Sequence, residues 1–422
     1  MATIKPFRAV HYNSEKIEDL SLVMSPPYDV INEQEQEILE KKSPYNFVRI
    51  DLAKENSADS KNDSRYTRSK EIYEEWLKKR ILIQDDKPGI YFYKQDYKAQ
   101  GQKHSRLGFI SLMKLEDEKD SKVFPHENTH AHAVEDRLKL LTSLRASLSC
   151  IFVCYSDKGN KVEKIFQSHL LSQKPLIDVE DKDNVQHRVW ALTDPVLINE
   201  INETVAGQHI FIADGHHRYK VAQQYRQQQL LAQGTKSSDH PAYDYVMTYF
   251  TNIDSKDLQI FPMHRIVKGF PENINFLEEF FRMDKVKTKE DLLILLAQAG
   301  KNENAFGLYK REGMWLMRLK NKMLINEYVT EGSRDYKNLD ASILKAFVFD
   351  RVGIKSDKIV YTKDSQELIQ MVHGHQADAG FILNPVKISQ LKAIALNGEK
   401  MPPKTTYFYP KVLSGLTVYQ LD

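Results

Sequence analysis

The run Ala213-Asp-Gly-His-His-Arg-Tyr219 gathers residue types that handle anions. Residues 209–213 are apolar enough for a short strand, and a helical pattern follows to about residue 234. Asp214 and Gly215 therefore stand where a strand turns into a helix. The first backbone N–H groups of a helix have no partner within it, and with the helix dipole they form an anion site. Gly215 permits a tight turn and lets a phosphate approach the backbone. Arg218 would grip such a group bidentately, and His216 and His217 would add donors. Asp214 would hold a Mg²⁺ ion or orient an imidazole. The plainer reading makes Asp214 a helix cap and leaves His216, His217 and Arg218 as a solvated first turn. Against it, cations at a helix N-terminus oppose the dipole, a mismatch that a bound anion relieves.

A second constellation is Phe124-Pro-His-Glu-Asn-Thr-His-Ala-His-Ala-Val-Glu-Asp-Arg137. The letters His126-Glu-Asn-Thr-His130 satisfy H-E-x-x-H, in which zinc proteases place both His on one helix face with the Glu as general base. The context fits poorly. Pro125 and Asn128-Thr129 favour a loop or a helix start, and residues 138–156 contain no His, Asp or Glu for a third ligand. Two other readings stand beside it. In one, Glu127, after His126, is a general base or a metal-bound carboxylate beside the phosphate site, with Lys139 and Arg145 as nearby cations and Asp136-Arg137 as a structural pair. In the other, the run is a polar loop leading into a helix.

Three further segments carry candidates. Pro26-Pro-Tyr-Asp29 presents Tyr28 and Asp29 to a ligand, or is an architectural turn. Met263-His-Arg265 places His264 and Arg265 at the end of a strand, where they line a cleft or belong to the core. Met401-Pro-Pro-Lys-Thr-Thr-Tyr-Phe-Tyr-Pro-Lys411 offers Lys404 and the hydroxyls of Thr405 and Thr406 from an extended segment that closes over a phosphate or packs on the core.

The elements around these segments alternate between helix and strand. Asn32 followed by Glu35 opens a helix over 33–42. Helices are also expected over 64–80, from Val134 through Leu144, from Val162 to Leu170, from Pro195, over 272–283, 289–299, 339–352 and 365–375, and after Asn384-Pro385. Strands are expected at 90–94, 106–114, 147–155, 187–192, 243–252, 258–267, 305–311, 314–319 and 379–383. Polar loops are expected at 53–64, 116–122, 157–161, 233–241 and 332–337. The pattern is that of an α/β, mixed α+β, protein. We divide it into an N-terminal α/β region 1–115, a phosphate-binding core 116–250 and a C-terminal α/β domain 251–422.

Length and composition agree. The 422 residues suffice for two or three cored domains, and 41% hydrophobic and 10% aromatic residues mark a globular chain. Lys+Arg 60 against Asp+Glu 58 gives a net charge of +2, which argues against a dedicated nucleic-acid binder. Cys150 and Cys154, on one face of a strand, would sit about 13 Å apart at roughly 3.3 Å per residue, too far for a disulfide. Buried thiols suit a reducing compartment. No apolar run approaches a membrane span and the N-terminus shows no signal peptide, so a cytoplasmic protein without a membrane partner is expected.

Together, Lys5-Pro-Phe7, Pro26-Pro-Tyr-Asp29, Pro125-His-Glu127 with Asp136-Arg-Leu138, His187-Arg-Val-Trp190, Ile212-Ala-Asp-Gly-His-His-Arg-Tyr219, Met263-His-Arg265 and the 401–411 run resemble a widespread bacterial family known only as a domain of unknown function. The Pro-His-Glu box followed by strand-Asp-Gly-His-x-Arg-helix is also similar to the ParB/sulfiredoxin superfamily, and most to the ParB-type free L-serine kinases. That resemblance implies a ParB/sulfiredoxin-like central domain with flanking α/β domains. It implies a kinase that uses Mg²⁺ and ATP or ADP to phosphorylate a small hydroxyl metabolite, L-serine first. Glu127 would be the base, with His126 beside it, and Asp214, Gly215, His216, His217 and Arg218 would hold the phosphates and the metal. The chain departs from the pattern in the long insertion 147–195 between the boxes. It also lacks a Cys in the phosphate loop, which removes sulfiredoxin's reductase chemistry. The other classes left open are a ParB-like nucleotide-binding regulator without turnover and a metal-dependent hydrolase.

Overall fold

The computed structural model describes residues 3–57, 59–60, 64–117, 121–233 and 241–421. Parts of the loops expected at 53–64, 116–122 and 233–241, and residue 234 at the expected helix end, lie outside them. The chain divides into two compact units. Unit 1 comprises Met1–Pro125, Thr129–Leu258 and Pro410–Asp422, and unit 2 comprises His126–Asn128 and Gln259–Tyr409. The boundary drawn at 115 falls inside unit 1, and the one at 250 lies shortly before Leu258. Both units are mixed α/β.

Unit 1 is built on a mixed sheet of nine strands among the described residues. In space the order runs Val123–Phe124, Ile210–Asp214, Ile151–Tyr155, Tyr245–Asn252, Gln102–Lys114, Ile90–Ala99, Gln186–Leu192 and Ile177–Glu180, with Ile4–Lys5 also beside Gln102–Lys114. Strand alternation sends Phe92, Phe109, Ile151, Val153, Ile212 and Phe250 to one face. Helices cover that face, among them Lys161–His169 through Val162, Ile165 and Phe166, and Pro195–Val205 through Ile198, Ile201 and Val205. Asp194 caps the second helix by accepting the Val196 N–H at 2.8 Å, and Pro195 occupies its first turn, where the missing N–H costs nothing.

The registers put Tyr93, Gln95, Arg106, His187 and Tyr249 on the opposite face. Gly108 lies among them because nothing larger fits. A Cβ there would stand 2.2 Å from the Phe250 carbonyl oxygen and 2.5 Å from Tyr249 Cε2. Gly108→Ala should cost about 1–3 kcal/mol, the range for overpacking a core, seen as a lower urea midpoint. An unchanged midpoint would show that the strand shifts freely.

Unit 2 centres on an antiparallel six-stranded sheet in the order Phe281–Val286, Gly313–Leu319, Ala305–Lys310, Ala379–Ile382, His264–Val267 and Ile359–Thr362. Both of its faces are buried. Phe306, Met317, Phe381 and Val267 point one way, onto Leu277, Ile343 and Phe347. Ala305, Leu316, Ile382 and Ile266 point the other way, onto the helices Lys289–Ala299 and Ser365–His373.

Several elements differ from the expectation. The helix expected over 272–283 is a short 3₁₀ turn, Asn275–Glu279, followed by the strand Phe281–Val286. Phe276, Leu277, Phe280 and Phe281 carry helical spacing, but pairing with Gly313–Leu319 along the whole strand overrides it. The strand expected over 258–267 is broken at Pro262, which has no N–H for a ladder. Gln259–Phe261 pairs with Tyr407–Tyr409, and His264–Val267 enters the six-stranded sheet. The helix expected over 339–352 begins as Asp340–Leu344, widens to a π-turn over Lys345–Phe349 and ends at Gly353 after a 3₁₀ turn. Cys150 and Cys154 are buried free thiols. No helix among the described residues is long and apolar enough to cross a membrane.

Candidate functional site

Asp214 ends the strand Ile210–Asp214, and Gly215, at φ +84°, turns the chain into the helix His216–Gln233. Only glycine takes that left-handed conformation without strain. The Asp214 carboxylate lies between two cations. Its Oδ2 accepts Arg218 Nη2 at 2.8 Å and its Oδ1 accepts Lys411 Nζ. Arg218 Nη1 also donates to the Cys150 carbonyl, so this side chain is folded back on the strand–helix junction and ties it to the neighbouring strand. Burial works to raise the Asp214 pKa. Lys411 and Arg218, with His216 adding to them, overcome it and hold the carboxyl far below its usual range.

Lys411 reaches Asp214 because buried polar groups fix the backbone on either side of it. Gln95 Nε2 donates to the Lys411 carbonyl at 2.9 Å, and Arg106 Nη2 to the Pro410 carbonyl at 2.5 Å. Arg106 Nε donates in turn to Gln95 Oε1 at 3.1 Å. Gln95, Arg106 and His187 are fully buried. His187 adjoins them, with Nδ1 2.6 Å from the Tyr93 hydroxyl and Nε2 3.0 Å from Asp181 Oδ2. Burial pulls its pKa down against the opposing pull of Asp181.

Tyr28 and Asp29 act on the same guanidinium. Both contribute to the field at Arg218, together with Asp51. Arg137 covers the Tyr28 ring at 4.1 Å from its centroid and donates to the Asp51 carbonyl at 2.6 Å and to Asp51 Oδ1 at 3.2 Å. Burial, then Asp29, pushes the Tyr28 phenol up to about 12 against the pull of Arg218 and Arg137. Beside these groups lies a cavity of about 60 Å³ with Asp51, Arg137 and Arg218 among its polar lining and Leu140, Val221 and Tyr225 among its apolar walls.

His217 is placed by His130. Its Nε2 accepts the His130 backbone N–H at 3.0 Å, and the two rings stack with centroids 5.8 Å apart. His130 is the residue before the helix Ala131–Leu144, so His126 and His130 do not share a helix face as H-E-x-x-H requires. His126 and Glu127 belong to unit 2. There the Met401 N–H donates to the His126 carbonyl at 2.8 Å, His126 Nε2 lies 3.1 Å from Thr406 Oγ1, and Glu127 Oε1 accepts the Lys404 N–H at 3.2 Å. Thr405 is buried, its hydroxyl donating to the Pro402 carbonyl. Lys404 is exposed with φ +52°. His264 is a core residue whose Nδ1 accepts the Leu383 N–H at 3.2 Å, and Arg265 is buried beside it.

Among the described residues, no group of three or more His, Cys, Asp and Glu could hold a metal ion. Asp214, the residue expected to take Mg²⁺, has a cation on each carboxylate oxygen. A resident dication does not fit there.

Sequence reasoning bypassed Lys411 in favour of Lys404, took Arg137 only as half of a structural pair, and had no signal for Asp51, Gln95 or Arg106. A Lys closing a buried aromatic run, 407–411, was the one available hint.

A family model described as "Protein of unknown function (DUF1015)" matches residues 4–342; the 401–411 run lies beyond it. No curated protein matches the sequence. Among solved structures, the chain is similar to a conserved hypothetical protein from Pyrococcus furiosus, at 14% identity and TM-score 0.34, covering 71% of this chain and 92% of that one. It is similar to a free serine kinase variant in complex with ADP, at 15% identity and TM-score 0.34, covering 68% and 84%. It is similar to C-terminally truncated SbnI from Staphylococcus aureus, at 12% identity and TM-score 0.36, covering 71% and 84%.

Proposed function

The chain belongs to the DUF1015 family of proteins of unknown function, and from that premise we propose that it is a nucleotide-dependent phosphotransferase acting on a small hydroxyl metabolite, with free L-serine the first acceptor to test. The observation that carries this reading is the strand–helix junction at Gly215. Its left-handed turn starts a long helix beside a carboxylate held between Lys411 and Arg218. Helix-start amides of this kind take phosphate oxygens, and phosphoryl transfer asks mainly for positioning and charge neutralisation. In this reading the backbone after Gly215, with His216 and His217, receives the phosphates of ATP or ADP. Arg218 and Lys411 supply positive charge that Asp214 keeps oriented. Mg²⁺ arrives as part of the nucleotide complex. Glu127, with His126 beside it, takes the acceptor's hydroxyl proton, a role that rests on the sequence resemblance.

The test is turnover. Purified protein with Mg²⁺, ATP or ADP, and a panel of hydroxyl amino acids and hydroxy acids is followed by phosphorus NMR. O-phosphoserine, or another phosphorylated acceptor, is the expected result. Nucleotide binding without turnover would replace this reading with the regulatory module, and release of free phosphate alone would replace it with the hydrolase.

A further inference from the structure

The sheet of unit 2 holds a buried cation with no anion in ion-pair contact among the described residues. Arg265 is 4% exposed on the strand His264–Val267. Its Nη1 donates to the Met263 carbonyl, its guanidinium rests 5.2 Å from the centroid of the Tyr361 ring, and it makes no ion pair among the described residues. A buried charge left unpaired is strongly unfavourable. Arg265 lines a cavity of about 20 Å³ whose apolar walls include Met263, Leu339 and Leu383. Asp340 lines the same cavity. Its Oδ1 accepts Asn304 Nδ2 at 2.9 Å, and it too makes no ion pair among the described residues. Burial raises the Asp340 carboxyl to about 6 and lowers Arg265 to about 10. His264, next to Arg265, brings no second cation, because burial and Arg265 hold its pKa at about 4.

Two opposite charges thus face one cavity, each in the other's field but with no ion pair between them. The cavity holds about one water-sized group, room for the leading oxygen of a carboxylate whose remainder lies in the adjoining space. Asp340, Asn384 and Gln390 also line a polar groove of about 180 Å³, whose other residues include Lys301, Lys322 and Lys387. A phosphate dianion would gain from Arg265 but be repelled by Asp340. A ligand that carries an anion and a cation on one carbon satisfies both.

We propose that this cavity and groove bind a free α-amino acid, with its carboxylate on Arg265, its ammonium on Asp340 and a polar or acidic side chain in the groove. The site lies wholly in unit 2 and does not depend on phosphoryl transfer at Gly215. Calorimetric titration of the full chain with L-asparagine and L-glutamate tests it. At least one should bind saturably. Asp340→Asn and Arg265→Met should each weaken it about tenfold or more, as loss of a charged hydrogen bond does, with nucleotide affinity unmoved. For asparagine, the deaminated analogue succinamate should bind at least about tenfold more weakly, since it cannot use Asp340. If Arg265→Met does not fold, the isosteric Asp340→Asn carries the test. The proposal is overturned if neither amino acid binds at millimolar concentration, as when one water bridges the two charges. It is also overturned if binding survives the folded variants, or if succinamate binds as well as asparagine.

Discussion

Glu127→Gln is expected to lower kcat for acceptor phosphorylation by about 10²–10⁴-fold, the usual cost of losing a general base, or about 3–5.5 kcal/mol at about 1.36 kcal/mol per tenfold. The substitution separates chemistry from structure. Glu127 Oε1 accepts the Lys404 N–H at 3.2 Å, and the amide oxygen of Gln accepts the same bond. The contact holding the 401–406 segment beside His126 survives, so thermal stability should stay near wild type. A Gln side chain takes no proton from a hydroxyl. Nucleotide affinity should move little, because in the proposed scheme the phosphates are held by the segment after Gly215. Turnover within a few-fold of wild type would remove Glu127 from the chemistry and leave it as a link to Lys404. Joint loss of turnover and nucleotide binding would point to a carboxylate that meets the nucleotide's Mg²⁺.

Asp214→Asn should destabilise unit 1 by about 3 kcal/mol or more, the cost of removing one partner from a buried ion pair. The variant removes the carboxylate that Lys411 and Arg218, 15% and 12% exposed, hold between them. Asp214→Asn combined with Lys411→Met should recover part of the loss, since one of the two cations that Asp214 balanced is then gone. The pH dependence has a definite sign. The folded-state pKa of Asp214 lies below its ordinary 3.8, so its stabilisation is fully present above about pH 4 and is lost as pH falls through the folded value. Wild-type stability should therefore fall more steeply than that of Asp214→Asn on acidification below about pH 4. Parallel curves, or a urea midpoint for Asp214→Asn equal to wild type, would show that the two cations find other partners.

Local pattern was enough wherever an element's own residues decide its state. Asn32 before Glu35, Ser64 before a helical face and Thr288 before Lys289–Ala299 all cap helices as their side chains require. The hairpin of Ile90–Ala99 and Gln102–Lys114 extends further than its apolar residues indicated, because buried Gln95 and Arg106 continue the ladder with polar side chains. The short strands Leu82–Gln84 and Ile177–Glu180 carried too few residues to declare themselves and exist through their partners. The 272–283 segment went wrong for the same reason, since its strand is made by its neighbour across the sheet.

The candidate site divides along the same line. The sequence by itself determined the strand–Gly–helix junction at Gly215, because a left-handed turn and a helix start are local properties of the backbone and of Asp214-Gly-His-His-Arg218. It also determined that the segment after Gly215 would carry cations. Tertiary structure alone decided that Arg218 turns back to Asp214 and the Cys150 carbonyl, and that Lys411 arrives from almost two hundred residues away to balance the same carboxylate. It alone decided that Gln95 and Arg106 hold Lys411 there, and that Arg265 and Asp340 share a cavity without pairing. These are meetings of side chains distant in the chain. Their energies depend on burial and on separations that no local spacing encodes, since a charge is worth little in water and a great deal where water is excluded.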